Sequence, residues 1–270
     1  MKPNLLLILI FFHLYPSLYA TNNLRIGDIR TIGMGGNEAT ASAAFNPSLI
    51  ALYGQKTLCI NYFNRYGLKE LGSVGGSFYL PGETLSLGGD IFSFGYDAYR
   101  ESMFRFLTAK RLTTHWALGV SIQYALLETE LYEERPAQLS VDVGLTHIPV
   151  DNLLIGLSIT NFPSVNLGDK STGKKEFMYY SIQAGFQWEV INRMFISGAL
   201  STGEESAIGG SLGLEYVAFR DFCIRAGVKG SPLLPSFGFG YAFSSFHIDV
   251  AAVYHPVLGT STGIGLSFSF

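Results

Sequence analysis

Two groups of residues in this sequence are of types that could carry chemistry. Gly33, Gly35 and Gly36 form a glycine-rich stretch, and such stretches cradle phosphate groups in nucleotide-binding loops. His247 and Asp249 could supply the base and a carboxylate of a hydrolase, which would also need a nucleophile within reach. What either group can do depends on the elements that position it.

The glycine-rich stretch does not fit a nucleotide site. A phosphate loop needs a strand before it and a helix after it, and neither is predicted around residues 33–36. The stretch also lacks the full spacing of either nucleotide fingerprint. The formal net charge is -3 and gives no basic patch for nucleic acid. We therefore predict no cofactor and no nucleic-acid partner.

The two cysteines of the chain, Cys59 and Cys223, are too few for a disulfide scaffold or a cysteine-rich metal site. Both fall on the inward-facing side of the strands predicted below. We predict that they are two unpaired small side chains, and we predict no metal site.

The N-terminus has the three zones of a secretory signal. Lys2 supplies the positive start, residues 5–14 the apolar run, and Leu18, Tyr19 and Ala20 the exit before cleavage. The alternative is an N-terminal anchor helix, for which the apolar run is short. We predict a cleaved signal peptide at residues 1–20 and a mature protein outside the cytoplasm.

The chain is apolar overall without containing an apolar helix. It has 48% hydrophobic and only 14% charged residues, whereas about 25% charged residues is usual for a soluble domain. No stretch after the signal approaches the roughly 20 consecutive apolar residues that a spanning helix needs. A transmembrane β-barrel has this composition because only alternate residues of each strand face lipid.

Apolar and small residues alternate along much of the chain, as they do in strands. In the last segment Ile264, Leu266, Phe268 and Phe270 alternate with Gly265, Ser267 and Ser269. From residue 56 onward this pattern predicts about fourteen strands of membrane-spanning length. They lie near 56–65, 70–80, 84–95, 101–110, 115–127, 137–148, 152–161, 176–188, 192–201, 206–217, 221–229, 236–243, 246–254 and 261–270.

The connections between these strands favour an even number. Those after even-numbered strands are tight, such as 81–83 and 244–245, whereas 128–136 and 162–175 are longer and more polar. Outer-membrane barrels have short periplasmic turns and longer outer loops. The alternative is a secreted β-sandwich, which would need more charge on its outer surface. We predict an all-β fold, a transmembrane antiparallel β-barrel at 56–270 in the bacterial outer membrane, with both termini periplasmic.

A few charged and polar side chains lie on the inward face of the predicted strands. A lumenal charge network explains His247 and Asp249 better than catalysis does, because buried charges are normally paired. His115 and His147 lie by turns and form no ligand set, and we predict no enzyme activity. The lumenal polar candidates are Arg65, Asp142, Glu215, Arg225, Lys229, His247 and Asp249.

The segment before the first strand, residues 21–55, includes a run rich in Gly, Ala and Ser. A barrel of about fourteen strands is too wide for its own side chains to fill, and many of its inward positions here are glycine. The segment can fold back into the lumen as a plug, where glycines permit close approach to the wall. We predict that many of the inward polar side chains contact it.

This segment resembles the N-terminal plug of the FadL family of fatty-acid channels. The resemblance lies in GMGGNEATASAAFNPSLIALY, which contains Gly33, Gly35 and Gly36 and ends with Asn46 and Pro47 before the first strand. Two later stretches, LSVDVGLTHIPVDNLLIGLSITNF (139–162) and HIDVAAVYHPVLGTSTGIGLSFSF (247–270), are similar to the PorV/PorQ branch of that superfamily, found in Bacteroidota. The resemblance implies a 14-stranded barrel with a plug in its lumen.

The resemblance implies two functions. The PorV/PorQ branch is associated with type IX secretion, so we predict an accessory of protein secretion or surface assembly, with secretion components or exported proteins as partners. The alternative is a FadL-like channel for uptake of small hydrophobic molecules such as fatty acids. In that family a kink in the third strand opens the wall, and Gly88 and Gly89 lie in the third strand here. Phe270 resembles the C-terminal signal read by the barrel-assembly machinery, so this machinery and outer-membrane lipid are further predicted partners.

Overall fold

A computed structural model describes residues 24–130, 135–167, 178–204, 206–219, 221–230 and 232–270. Most of them belong to one antiparallel sheet that closes on itself as a barrel. Within these ranges, none of the helices has the length and apolar character needed to cross a membrane. The predicted signal peptide at 1–20 lies outside the described residues.

The described residues form fifteen strands, of which fourteen make the barrel wall and confirm the predicted count. The first seven are β1 (Thr57–Asn64), β2 (Gly72–Leu80), β3 (Ser86–Tyr96), β4 (Tyr99–Arg111), β5 (Trp116–Thr129), β6 (Ala137–Val150) and β7 (Leu153–Thr160). The others are β8 (Ser164–Asn166), β9 (Ser181–Ile191), β10 (Met194–Gly203), β11 (Ser206–Val217), β12 (Phe222–Lys229), β13 (Leu234–Phe243), β14 (Phe246–His255) and β15 (Gly259–Ser269).

The strands follow one another around the wall, and β1 pairs with β15 to close it. In this closing pair Thr57 lies opposite Ser269, and the backbone N–H of Phe270 donates to the carbonyl of Lys56 at 3.0 Å. The extra strand β8 pairs with residues 138–140 of β6, beyond the point where β7 leaves that edge. β8 was not predicted, because three residues are too few to show an alternating pattern.

The barrel has two unlike ends. The connections 81–85, 112–115, 151–152, 192–193 and 244–245 lie at the end that also carries the start of β1 and the end of β15, and we call it the turn end. The connection 65–71 and the described parts of two longer connections, at residues 130, 135–136, 161–167 and 178–180, lie at the opposite, loop end. A short 3₁₀ helix, η2 (Lys69–Leu71), forms part of the first loop.

The outer face of the wall is apolar because side chains alternate across each strand. In β5 the outward residues are Trp116, Leu118, Val120, Ile122 and Tyr124, all exposed, while Ala117, Ser121, Gln123 and Ala125 between them are buried. The same alternation runs through β3, β4 and β13. An outward apolar band of this kind is what a strand presents to lipid.

The lumen is occupied by the chain segment from Leu24 to Tyr53, which we call the plug. It contains two short helices, α1 (Ile29–Gly33) and α2 (Glu38–Ala41), and a 3₁₀ helix, η1 (Pro47–Leu52). Pro47 opens η1, where its missing N–H costs nothing and its fixed φ suits a helix. The plug in the lumen confirms the predicted architecture.

A ring of wall glycines lies against the backbone or side chains of the plug, and we call it the glycine belt. Its members are Gly119, Gly144, Gly156, Gly185, Gly213, Gly227, Gly238 and Gly265. Three pairs lie directly opposite each other on neighbouring strands: Gly119 with Gly144, Gly156 with Gly185, and Gly213 with Gly227. A side chain at such a position would occupy the space that the plug fills.

The contacts along the glycine belt follow the order of the plug sequence. A Cβ atom on Gly213 would overlap the carbonyl of Met34, one on Gly156 the carbonyl of Ala39, and one on Gly119 the backbone of Ser48. Gly35 has φ +81°, and a Cβ there would lie 2.8 Å from two wall carbonyl oxygens. The plug therefore winds around the inside of the wall in backbone contact with it.

Candidate functional site

The Asn46 side chain fixes the second half of the plug. Its Nδ2 donates to the carbonyl of Ala39 at 2.6 Å, and its Oδ1 accepts from the backbone N–H of Ser48 at 3.1 Å and from the Ser48 hydroxyl at 2.6 Å. The Ser48 hydroxyl also lies 2.7 Å from Oγ1 of Thr146 on β6. Asn46 and Ser48 are fully buried, and these bonds join α2, η1 and the wall.

We expect Asn46→Ala to loosen the plug. The change leaves the buried Ser48 N–H and the Ala39 carbonyl without their partner, which costs about 1–3 kcal/mol of unfolding free energy. Denaturant unfolding of the purified protein measures this, and limited proteolysis shows whether the plug is cut sooner. Asn152→Ala at an exposed turn is the control and should change little. Equal effects of the two changes would contradict a docking role for Asn46.

A buried ion cluster joins the start of the plug to the wall near the middle of β3, β4 and β6, and we call it the mid-lumen cluster. Arg25 of the plug lies 3.2 Å from Asp142 of β6. Arg105 of β4 lies 3.1 Å from the same carboxylate and 2.6 Å from Asp90 of β3. The Arg105 guanidinium also donates to the carbonyl of Ala43 in the plug at 3.0 Å.

Neutral polar side chains complete the mid-lumen cluster. Gln123 of β5 accepts a hydrogen bond from Arg25 and donates to Asp142 at 3.0 Å. The backbone N–H of Asn161 donates to Asp142 at 2.8 Å. Two arginines and two aspartates balance in charge, and their side chains are almost fully buried. Some buried polar atoms of the cluster, including Nε of Arg25, Nη2 of Arg105 and Oδ1 of Asp90, have no hydrogen-bond partner among the described residues.

A second ion cluster lies nearer the turn end, and we call it the turn-side cluster. Arg30 of α1 binds Glu215 of β11 through two nitrogens, at 2.8 and 2.7 Å. Glu215 also lies 2.6 Å from Arg225 of β12, which in turn binds Asp249 of β14 at 2.5 Å. Nε2 of His247 lies 3.1 Å from Asp249. Burial acts to lower the pKa of Arg30, but the Glu215 carboxylate outweighs it and raises that pKa.

Five of the seven lumenal polar candidates belong to these two clusters. Asp142 lies in the mid-lumen cluster, and Glu215, Arg225, His247 and Asp249 lie in the turn-side cluster. The other two lie apart. Arg65 has its guanidinium carbon 5.3 Å from the ring centres of Phe63 and Phe94, and Lys229 is exposed at the loop end of β12.

Four charged cluster members were not among those candidates. Arg25 and Arg30 belong to the plug, and Asp90 and Arg105 belong to β3 and β4, in which apolar side chains also occupy inward positions. Asp90 lies directly opposite Arg105 in the β3–β4 pair. The sequence signal for this ion pair was therefore two opposite charges at paired inward positions. That signal could be recognised only once the register of β3 and β4 was known.

Apolar side chains fill the lumen at the loop end, and we call this group the loop-end apolar cluster. The plug contributes Leu24, Ile26 and Ile29. The rest of the chain contributes Phe63, Phe92, Phe94, Met103 and Met178. All of them are buried, so this part of the lumen is not a water-filled pore.

A cavity of about 460 Å³ lies beneath the plug at the turn end, and we call it the turn-end cavity. Its walls include the turn-side cluster, Asp28, Thr40, Asn61 and Gln187, together with the plug residues Leu49, Leu52 and Tyr53. Cys59 and Cys223, both free thiols, also line it. A smaller cavity of about 170 Å³ shares Leu154 and Gln187 with it.

The third strand is fully paired at the predicted kink. Gly88 and Gly89 lie opposite Tyr79 and Phe78 of β2, and opposite Leu107 and Phe106 of β4, without a register shift. A Cβ on Gly88 would lie 2.8 Å from the Tyr79 ring, so the space beside it is filled. An opening of the wall at this point stays a prediction.

Comparison with known proteins identifies the fold. No protein-family model and no curated protein matches the chain, but solved structures do. The monoaromatic hydrocarbon channel CymD matches 93% of this chain and 99% of its own at 15% identity, with a TM-score of 0.67. The toluene transporter TodX of Pseudomonas putida matches 92% and 99% at 13% identity, with a TM-score of 0.66. This chain has the fold of these channels.

A FadL homologue of Pseudomonas aeruginosa matches in the same way, over 91% of this chain and 98% of its own, at 12% identity and a TM-score of 0.61. These matches cover a larger share of the chain than residues 57–270 make up. The matches therefore extend into the segment before β1. The FadL-like fold implied by the sequence is confirmed. The finer placement in the PorV/PorQ branch stays a prediction.

Proposed function

We propose that the protein is an outer-membrane channel for small hydrophobic molecules, closed in the described state by its plug. The observation that carries this proposal is the loop-end apolar cluster inside the lumen. Aqueous porins have polar interiors, whereas here Leu24 and Ile26 of the plug meet Phe92, Phe94 and Met103 of the wall. An apolar molecule can replace such side-chain contacts with its own surface at little cost.

The flexibility of methionine supports this assignment. Met103 and Met178 are both almost fully buried in the loop-end apolar cluster, and a methionine side chain adapts readily to apolar partners of different shape. Of the similar structures, CymD is a monoaromatic hydrocarbon channel and TodX is a toluene transporter, which makes compact apolar molecules the first class of cargo to test. The outer-membrane location is part of the proposal and rests on the same fold.

Uptake by whole cells tests the proposal. We expect a Gram-negative host that lacks hydrocarbon channels to take up radiolabelled toluene or oleate several-fold faster when it expresses this protein. Met103→Lys should abolish the gain because it places a charge in a buried apolar site. Met103→Leu keeps the volume and polarity and should retain it. No gain with a barrel that is correctly inserted would overturn the proposal.

The predicted role in protein secretion remains the alternative outcome. No feature of the residues described above favours a protein partner over an apolar solute. A native pull-down from solubilised outer membranes distinguishes the two, since stoichiometric secretion components would support the accessory and a lone barrel with bound lipid would support the channel.

A further inference from the structure

The neighbouring strands β15, β1 and β2 form a sector of the wall without charge, and we call it the uncharged sector. None of the residues within these three strands is acidic or basic. The mid-lumen cluster takes its charged wall residues from β3, β4 and β6, and the turn-side cluster takes its own from β11, β12 and β14. An apolar molecule that follows the uncharged sector therefore separates no buried ion pair, which would leave a charge uncompensated.

The helices of the plug pack on either side of the uncharged sector. α1 lies against β12, β13, β14 and β15, and η1 lies against β3, β4, β5 and β6. β1 and β2 lie between these two groups of strands. A molecule that moves along β1 therefore has to displace side chains at the edges of these helices rather than the helices themselves.

One side chain belongs both to the loop-end apolar cluster and to the lining of the turn-end cavity. It is Ile29 of α1, and within the described ranges no other residue belongs to both groups. Ile29 is only 1% exposed, so it closes the space between them. Beyond it, the lining residues Leu52, Tyr53 and Thr57 are partly exposed, so the cavity communicates with solvent at the turn end.

Two glycines of β15 make room for the Ile29 side chain. A Cβ on Gly265 would lie 3.1 Å from Cγ1 of Ile29, and a Cβ on Gly263 would lie 2.7 Å from its Cδ1. Asn61 and Phe63 of β1 lie directly opposite these two glycines in the closing pair. The Ile29 side chain therefore extends along β15 toward the loop end and fills the space in front of β1 and β15.

Ile29 is held where it lies by its own shape and by the bonds of α1. A β-branched side chain in a helix has one strongly preferred χ1 rotamer, so it does not readily turn aside. Asp28, just before α1, shares a hydrogen bond with Asn61 of β1, and Arg30 binds Glu215 through two nitrogens. The space between the apolar cluster and the cavity therefore stays closed while α1 is docked.

We propose that Ile29 is the barrier that cargo passes between the loop-end apolar cluster and the turn-end cavity, and that its side chain limits the width of the cargo. The inference rests on the proposed channel function and assigns the path of that channel to the uncharged sector. Cargo takes the space over Gly263 and Gly265 that Ile29 now fills. A smaller side chain at position 29 therefore speeds passage, and it does so most for wide molecules.

Uptake by whole cells tests the barrier with two cargoes of the same chemistry and different width, toluene and mesitylene. We expect cells with Ile29→Ala to take up toluene about tenfold faster than cells with the native protein, because passage no longer displaces the larger side chain. The gain for mesitylene should be larger still, so the ratio of mesitylene to toluene uptake rises. A general loosening of the fold would not change that ratio in favour of the wider molecule.

Ile50→Ala is the matched control, because it removes the same atoms from another fully buried residue of the plug. Ile50 packs in a separate apolar cluster with Leu49 and Leu107, and it is not among the residues that line the turn-end cavity. Cells with this variant should keep the native ratio of the two uptake rates. Heat-dependent mobility on gels shows that both variants are folded barrels. Equal gains in the two variants would mean that any loss of packing in the plug admits cargo, which would overturn the proposal.

The outcomes distinguish a failure of this inference from a failure of the proposed function. Uptake through the native protein that Ile29→Ala leaves unchanged refutes the barrier and leaves the channel standing. No uptake through either protein refutes both. Gly263→Ala, added to Ile29→Ala, places a Cβ beside the position that Cδ1 of Ile29 occupied, and it should reverse most of the gain. A gain that persists in this double variant would place the path elsewhere and refute the assignment.

Discussion

Replacing Gly119 with valine should drive the plug out of its place while leaving the strands of the wall intact. A Cβ at this position would overlap the backbone of Pro47 and Ser48, and neither chain can move aside without breaking the wall ladder or the Asn46 bonds. Overpacking of this kind costs about 1–3 kcal/mol and occasionally more. In planar bilayers we expect the ion conductance to rise from near zero to that of an open barrel.

Gly76→Val is the matched control for that change. Gly76 lies in β2 of the same wall, and a Cβ there would meet nothing within 4 Å. The substitution adds the same atoms to the same kind of strand, so it should leave conductance and stability close to native. A conductance increase in the control, or none in Gly119→Val, would show that the plug is not held by close contact with the glycine belt.

Asp142→Leu should be the most destabilising single change in the lumen. It removes the carboxylate shared by Arg25 and Arg105 and leaves two buried guanidinium groups with Asp90 alone. Removing one partner of a buried ion pair costs about 3–5 kcal/mol because the remaining charge is uncompensated. The free energy of unfolding in denaturant, followed by tryptophan fluorescence, measures the loss.

A double substitution distinguishes the effect of removing a whole ion pair from the effect of leaving one buried charge without its partner. Asp90→Leu with Arg105→Met removes one cation and one anion together and leaves the Arg25–Asp142 pair in place. Exchanging a whole buried pair for apolar residues is often neutral or better. We expect the double variant to be more stable than Arg105→Met alone. If Arg105→Met alone were more stable than the double variant, the mid-lumen cluster would stabilise the fold by more than charge balance.

The wall and the plug could be predicted from the sequence because each depends on a local property. Strands such as β5 and β15 alternate apolar and small residues, and alternation follows directly from the two faces of a strand. The small residues before β1 and the inward glycines indicate a segment packed against a wall. Both features are visible without knowing which strands are neighbours.

The lumenal chemistry could be predicted only in part, for two physical reasons. First, β3 and β4 carry apolar side chains on both faces, since Phe92, Phe94 and Met103 point inward to the loop-end apolar cluster. This blurred the alternation and hid the Asp90–Arg105 pair. Second, Asp142 and Glu215, the ion-pair partners of Arg25 and Arg30, are more than a hundred residues away from them in sequence. Only the closed barrel brings those strands to the plug.

The closing pair of β1 and β15 sets the order in which the molecule can be assembled. The pair joins the first and last strands of the wall, with Thr57 and Ser269 separated by 212 positions. The plug ends just before β1 and contacts strands that are synthesised after it, including β4, β5 and β15. A chain segment can enter an open, curved sheet from the side. A closed barrel admits the segment only through one of its ends. When β15 pairs with β1 and closes the barrel, it therefore encloses the plug, which is synthesised before all of the wall strands.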